Sequence, residues 1–222
     1  MLAVALTANV ASAQLSGTLG VVSDYRYRGV SLSDDRPAVQ GSLAYDDPTG
    51  WYGGMFASSI RFPDSGGTGV QAIPFVGYAG RVESGWSFEG GVNATITRGS
   101  RDYDYQEIYG GFAFRNVSGR VYWSPRYYGQ PAHAIYGEIN GALPITDQVR
   151  LLGHAGVLSR DRPNSYVPRP DALYDLQAGI GVDLDGVNVQ LSFIGLFPSD
   201  AAYAVARGTR RNTVIIGVSR AF

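Results

Sequence analysis

The stretch YDLQAGIGVDL, residues 174–184, decides the fold, because apolar residues alternate with polar or small ones along its whole length. The same period of two runs through residues 85–98, 186–197 and 213–222. Side chains at successive strand positions point to opposite faces of a sheet, so each stretch has one apolar and one polar face. Helical spacing is not sustained over any stretch of comparable length. The sequence therefore predicts an all-β fold.

The length of the strands indicates where this sheet resides. Several predicted strands run to about eleven to fourteen residues, whereas strands of soluble sheets have about five or six. A tilted strand needs about nine to eleven residues to cross a bilayer. The length favours a transmembrane barrel over a soluble sandwich or a lipocalin-like barrel, in which the apolar face would turn inward.

The connections between the predicted strands alternate between short and long. Tight turns such as Asp185-Gly186 follow the even-numbered strands, and longer polar loops such as 160–170 and 198–208 follow most odd-numbered ones. Short turns at one end, longer loops at the other and an even strand count are typical of outer-membrane barrels. We predict a transmembrane antiparallel up-and-down barrel of twelve strands, or of ten if two segments within 103–143 merge. The predicted strands are 15–30, 37–46, 50–62, 70–83, 85–98, 103–115, 117–128, 131–143, 147–159, 171–184, 186–197 and 209–222.

The composition excludes several classes of site. Eighteen basic residues against nineteen acidic ones leave a formal charge of −1, so the chain has no bulk positive field and no nucleic acid is expected as a partner. The absence of cysteine removes disulfides, thiolate metal sites and cysteine nucleophiles. With only His133 and His154 in the chain, we predict no metal centre, and no motif indicates a cofactor.

Both ends of the chain resemble export and assembly signals. Residues 1–13, MLAVALTANVASA, are apolar and uncharged and end in an A-x-A-type cleavage site. They predict a residual signal peptide before a barrel domain of residues 14–222, with a buried N-terminal helix as the alternative. The chain ends on Phe222 in an alternating strand, which resembles the signal read by the barrel-assembly machinery. We therefore expect the bacterial outer membrane as location, and that machinery, the lipid bilayer and lipopolysaccharide as partners.

The N-terminal part of the chain carries a motif in three pieces. Residues 23–33 read SDYRYRGVSLS, residues 37–42 read PAVQGS and residues 50–58 read GWYGGMFAS. This segment resembles the TorF family of predicted porins of proteobacteria, with its S-x-Y-x-x-R-G-x-S first strand, P-A-x-Q-G second strand and aromatic-Gly third strand. The likeness is specific over about residues 20–60 and diffuse beyond. It implies an outer-membrane barrel and passive transport, and it attaches no defined substrate and no catalytic residue.

Charged residues on the alternating strands are expected to face the lumen, because an arginine on the lipid face at mid-depth costs about 2–4 kcal/mol. The predicted lumen-lining residues are Asp24, Arg26, Arg28, Glu89, Glu107, Arg120, Arg126, Glu138 and Asp175. Aromatic residues near the predicted strand ends suit the lipid headgroup layer. They are Tyr25, Tyr27, Trp51, Tyr52, Trp86, Trp123 and Tyr127.

Three functional hypotheses follow from this pattern. A twelve-stranded barrel is wider than one filled by side chains and narrower than a sixteen-stranded porin, which suits a porin for passive diffusion of small polar or anionic solutes. A lipid-modifying enzyme with a His/Ser site is the second hypothesis, although no sequence around His133 or His154 resembles a phospholipase or deacylase, and we predict no catalytic residue. The third is a closed structural barrel, in which the inward charges pair into a plug without transport.

Overall fold

The computed structural model describes residues 14–62, 67–99, 103–129, 132–161, 172–197 and 212–222. The predicted signal peptide, residues 1–13, lies outside the described residues. The same holds for the predicted loop 198–208, for nearly all of the loop 160–170 and for residues 209–211 of the last predicted strand.

Twelve antiparallel strands of 8 to 14 residues form one closed barrel, as the alternation predicts. Two short strands, β2 and β3, form a separate hairpin between the first two barrel strands, and a 3-10 turn spans Tyr127–Gly129. The strands are β1 (Gln14–Val22), β2 (Arg26–Tyr27), β3 (Val30–Ser31), β4 (Ala38–Asp46), β5 (Trp51–Arg61), β6 (Thr68–Arg81), β7 (Ser87–Arg98), β8 (Tyr105–Phe114), β9 (Val117–Ser124), β10 (Ala134–Pro144), β11 (Val149–Arg160), β12 (Ala172–Leu184), β13 (Val187–Phe197) and β14 (Asn212–Ala221). Among the described residues, no helix is long and apolar enough to cross a membrane.

The barrel closes where β1 pairs with β14. Register pairs run from Thr18 with Ala221 to Val22 with Gly217. Beyond them, Gly17 and Phe222 exchange two backbone hydrogen bonds of 3.0 Å. A Cβ on Gly17 would lie 2.5 Å from the Phe222 ring, so the terminal aromatic ring covers this glycine closely. Closure by twelve strands leaves no free sheet edge.

The apolar face of each strand points outward. Leu191 is 50% exposed, whereas its neighbour Ser192 is 2% exposed. The same contrast holds along β14, where Ile216 is exposed and Ile215, one position before it, is buried. An apolar outer band around a polar interior is the arrangement of membrane barrels and the inverse of a soluble one.

The first predicted strand, 15–30, is too long, because β1 ends at Val22 and the chain then turns into the barrel. Tyr25 is 5% exposed and its hydroxyl donates to Gln71 Oε1 at 2.6 Å, so it does not face lipid. Tyr27 packs against the buried core and is likewise misplaced by the prediction. The predicted strand 117–128 also stops early, at Ser124.

Candidate functional site

An inner segment, residues 23–37, leaves β1 and folds into the barrel before β4 begins. Tyr27 pairs with Val30 across a two-residue turn, in which Arg28 and Gly29 have φ of 52° and 77°. Positive φ at both central positions is the hallmark of a type I′ turn, which favours Asn-Gly. A residue other than glycine in this conformation costs roughly 1–2 kcal/mol. The turn itself therefore disfavours Arg28, and the contacts of its side chain must offset that cost.

Asp24 and Arg26 hold the inner segment together. Arg26 Nε donates to Asp24 Oδ2 at 2.6 Å, and Arg26 Nη1 donates to the carbonyl of Gly29 at 3.0 Å. The hydroxyls of Ser31 and Ser33 donate to Asp24 Oδ1 at 2.6 and 3.1 Å. Both charged side chains are buried, and removing one partner of a buried pair costs about 3–5 kcal/mol. This network fixes the shape of the hairpin.

The Arg28 side chain reaches the wall opposite β1, because β8, β9 and β10 lie on the far side of the ring of strands. Its Nη2 donates to both carboxylate oxygens of Glu107, each at 2.8 Å. Its Cζ lies 4.3 Å from the ring centre of Tyr136 and 5.2 Å from that of Tyr122. Two more rings, those of Tyr27 and Tyr127, lie at 5.0 and 5.6 Å. We call these four tyrosines with Glu107 the tyrosine cage.

Burial makes the contacts of the tyrosine cage strong. The side chains of Arg28 and Glu107 are 3% and 1% exposed. A cation over an aromatic face is worth about 0.5–1 kcal/mol in water and about 2 kcal/mol or more when desolvated. The cage therefore offsets the strain of a positive φ at Arg28 and fixes the tip of the inner segment.

The other side of the turn is wedged against β12 and β13. A Cβ on Gly29 would lie 2.7 Å from Asp175 Cβ and 2.8 Å from Leu196 Cδ1. Arg28 contacts one part of the wall and Gly29 another, so the inner segment spans the lumen at this level.

Asp175 also anchors a polar group on the wall. His154 Nε2 lies 2.7 Å from Asp175 Oδ1, and His154 Nδ1 lies 2.7 Å from Asn140 Oδ1. The hydroxyl of Tyr136 donates to Asp175 at 3.2 Å, which links this group to the tyrosine cage. Among the described residues, the hydrogen-bond partners of His154 include no serine.

A third polar group lies closer to the short-turn end. Arg120 Nε donates to Glu89 Oε1 at 2.5 Å, and Arg120 Nη2 donates to Glu89 Oε2 at 3.1 Å. Tyr52 donates from its hydroxyl to Glu89 Oε2 at 2.6 Å and contacts the hydroxyl of Tyr109 at 2.8 Å. This group ties β5, β7, β8 and β9 together through the lumen.

The structure places most of the predicted lumen residues inside the barrel, but not all on strands. Glu89, Glu107, Arg120, Glu138 and Asp175 lie on strands with their side chains inward. The other three inward residues, Asp24, Arg26 and Arg28, belong to the inner segment instead of β1. Arg126 lies beyond the end of β9, at the long-loop end of the barrel, and is exposed, so strand alternation does not fix the direction of its side chain.

The aromatic residues divide in a way that sequence position alone did not predict. Trp51, Trp86 and Trp123 lie on the outer face and are exposed. Tyr52 and Tyr127 point inward, so their predicted place in the headgroup layer is wrong. The cage residues Tyr122 and Tyr136 were missed, although each stands two positions from a charge predicted to face inward, Arg120 or Glu138. Because residues two positions apart on a strand face the same side, the alternation could have placed both tyrosines inside the barrel.

The interior differs between its two halves. At the long-loop end, inward side chains such as Ser58, Gln71 and Thr95 are buried around the inner segment. At the short-turn end, inward positions such as Ser42 and Ala44 are only half-buried. Inward positions near the short-turn end are therefore more accessible than those beside the inner segment.

One pocket of about 280 Å³ lies on the outer wall near the long-loop rim. It is lined by Trp123, His133, Ile135, Ser159 and Asp161. The His133 ring stacks on that of Trp123 with centroids 6.0 Å apart. Within the described ranges, no three His, Asp or Glu side chains converge in a way that could hold a metal ion.

The barrel resembles solved structures of porins. It superposes on a NanC porin with a TM-score of 0.57 and 14% identity, covering 93% of this chain and 99% of that one. A KdgM porin gives a TM-score of 0.54 and 9% identity over 93% of this chain and 99% of that one. At these identities the likeness shows the fold, which together with the outward apolar face is that of a membrane β-barrel. No curated protein sequence matches the chain significantly.

The whole barrel falls within one sequence family. Residues 7–222 match Gcw_chp, which is described as a bacterial protein of unknown function. The match runs from before β1 to the terminal Phe222. The chain therefore belongs to the Gcw_chp family of bacterial proteins of unknown function.

Proposed function

We propose that the protein is a porin-like channel for passive diffusion of small polar solutes, with the inner segment as its narrowest point. The observation that carries the proposal is the polar interior of a closed barrel, which is less tightly buried toward the short-turn end. Several inward polar atoms, among them Arg28 Nη1, Thr95 Oγ1 and Glu138 Oε2, have no protein partner within the described residues. A fully paired plug would leave few such atoms, so they favour a passage over a closed structural barrel. The resemblance to the TorF family of predicted porins adds to this proposal.

The charges of the interior favour cations over anions. The contacts described above, together with the Arg26–Asp35 ion pair and the carboxylate of Glu138, involve three guanidiniums, those of Arg26, Arg28 and Arg120. They involve six carboxylates, those of Asp24, Asp35, Glu89, Glu107, Glu138 and Asp175. Even a protonated His154 leaves the carboxylates in excess. Cavities lined by one sign of charge concentrate ions of the opposite sign. Against the expectation of anionic solutes, we propose neutral polar and small cationic solutes.

Solute flux into liposomes tests this function. Purified full-length protein is reconstituted, and swelling rates are compared for a neutral sugar, a small organic cation and a small organic anion of similar size. We expect swelling with the neutral sugar and the cation, and slower swelling with the anion. Arg36→Ala is the control for a change of charge on the inner segment and should swell like the wild type, because the Arg36 side chain is 61% exposed. Equal rates with empty liposomes for all three solutes would contradict a channel.

A lipid-modifying enzyme is the second candidate, and one observation favours it. The outer-wall pocket brings His133, Ser159 and Asp161 together near the long-loop rim. The contact described between His133 and Asp161 is a backbone hydrogen bond, from Asp161 N to the His133 carbonyl at 3.0 Å. A nucleophilic serine needs a hydrogen bond to its base. The bond described in this pocket joins backbone atoms instead, so the pocket supports the enzyme hypothesis less well than the polar interior supports the channel.

We also propose partners for the outer face of the barrel and for its terminal strand. The apolar outer face suits lipid and lipopolysaccharide, and the terminal strand with Phe222 suits recognition by the barrel-assembly machinery. Phe222 is 72% exposed, so its ring is accessible from outside the barrel.

A further inference from the structure

We propose that the tyrosine cage is a binding site for small organic cations of the guanidinium class, and that Arg28 of the inner segment occupies it as a built-in plug. The inference deepens the proposed function, since a passage that favours cations would lead such solutes to this cage. It follows from three features: the chemistry of the cage, the second carboxylate beside it and the backbone strain of the residue that fills it.

The chemistry of the cage is that of a cation receptor. Four tyrosine rings lie within 5.6 Å of Arg28 Cζ, and Glu107 accepts two hydrogen bonds from one guanidinium nitrogen. Aromatic cages with a carboxylate bind organic cations through the negative ring faces and the opposite charge. Three of the rings, those of Tyr122, Tyr127 and Tyr136, belong to the wall or its rim and remain if the inner segment moves.

A second carboxylate, that of Glu138, lies beside the cage. Glu138 is 5% exposed, and its Oε1 accepts a hydrogen bond of 3.3 Å from the hydroxyl of the cage residue Tyr122. Its Oε2 has no partner within the described residues, and the same is true of Arg28 Nη1. A buried carboxylate oxygen and a buried guanidinium nitrogen without partners mark a site that Arg28 fills incompletely.

The residue in the cage is held there against its local preference. An Asn-Gly or Gly-Gly pair would form the same type I′ turn without a strained φ, so the turn does not require arginine. Arg28 adopts φ 52° and places its guanidinium in the cage. A residue that fills a receptor for its own chemical class at the expense of a strained backbone can be displaced by a free ligand of that class.

Calorimetric binding to the full-length protein in detergent tests the proposal. The probes are ethylguanidinium and its neutral planar counterpart urea, measured on wild type, Arg28→Ala, Arg28→Ala with Glu107→Gln, and the control Arg36→Ala. We expect R28A to bind ethylguanidinium at least about tenfold more tightly than wild type, R36A or the double variant, and urea not to bind measurably. Should R28A fail to fold, Arg28→Gln takes its place, because it keeps a long side chain without the charge.

Two results would overturn the proposal: R28A binding ethylguanidinium no better than wild type, or the same affinity after loss of the Glu107 charge. Binding in detergent does not depend on conduction, so the two proposals can fail separately. Saturable binding to R28A without any liposome flux would retain the cage and refute the channel. Flux without binding would do the opposite.

Discussion

Gly29→Ala should displace the inner segment while leaving the barrel wall intact. An alanine at φ 77° costs roughly 1–2 kcal/mol, because its Cβ approaches the following carbonyl. That Cβ would also lie 2.7 Å from Asp175 Cβ, which is fixed to the β12 backbone, and overpacking of this kind costs about 1–3 kcal/mol. Together these effects amount to about 2–5 kcal/mol against the inward position. This corresponds to roughly a thirty-fold to several-thousand-fold shift toward a displaced segment.

Single-channel recording in planar bilayers measures this shift. G29A should show a larger mean conductance than wild type. Gly186→Ala is the matched control, because Gly186 in the β12–β13 turn has φ 83° and no atom lies within 4 Å of its added Cβ. The control carries the backbone strain without the wedge, at the other end of the barrel, and should conduct like wild type. A folded G29A protein with wild-type conductance would refute the idea that the inner segment limits passage.

Other predictions concern the rim, the turns and the seam. Membranes carrying His133→Ala or Ser159→Ala should show the same lipid A pattern by mass spectrometry as membranes carrying the wild type. A lipid A modification that the wild type produces and that either variant abolishes would favour the enzyme. In the β4–β5 turn, the hydrogen bonds from the Thr49 hydroxyl and amide hold the pKa of Asp47 below its usual 3.8. NMR titration should show this pKa rising toward 3.8 in Thr49→Val, and an unchanged pKa would show that the hydroxyl contributes nothing. Any stabilisation from this turn is present above the ordinary pKa and is lost as the pH falls through the lowered one. Phe222→Ala uncovers Gly17 at the closing seam and should lower the heat-resistant folded fraction in membranes more than Val218→Ala, an outward-facing change on the same strand. Equal fractions for the two variants would argue against a special role of the terminal ring.

Strand alternation carries most of the fold but misleads at the inner segment. Residues 174–184 read as a strand and form β12, because one face meets lipid and the other the polar interior. Residues 23–30 show the same alternation, yet β1 ends at Val22. A short hairpin also has a period of two, so periodicity cannot distinguish it from the continuation of a wall strand. The local signal for a break was Arg28-Gly29, a pair with glycine at the second turn position.

The candidate site could be predicted in composition but not in arrangement. Parity places Glu107 and Glu138 inward, and the same rule applied to Tyr122 and Tyr136 would have found the cage rings. The contact between Arg28 and Glu107 joins residues 79 positions apart. Such a pair depends on closure of the whole barrel and on the depth of the inner segment. Neither property can be predicted from the residues around Arg28 or Glu107 alone. Alternation does not extend to Arg126, because strand β9 ends at Ser124.

Accessibility of two neighbouring positions tests most directly that a lipid-facing wall surrounds an aqueous lumen. The chain has no cysteine, so Ser42→Cys and Leu43→Cys on β4 each introduce a single reactive thiol. Ser42 points inward in the short-turn half of the barrel and is half-buried, and Leu43 points outward and is 47% exposed at the surface. In liposomes, a charged thiol reagent that does not cross membranes should label Ser42→Cys and leave Leu43→Cys unlabelled. Labelling of Leu43→Cys with protection of Ser42→Cys would contradict the account.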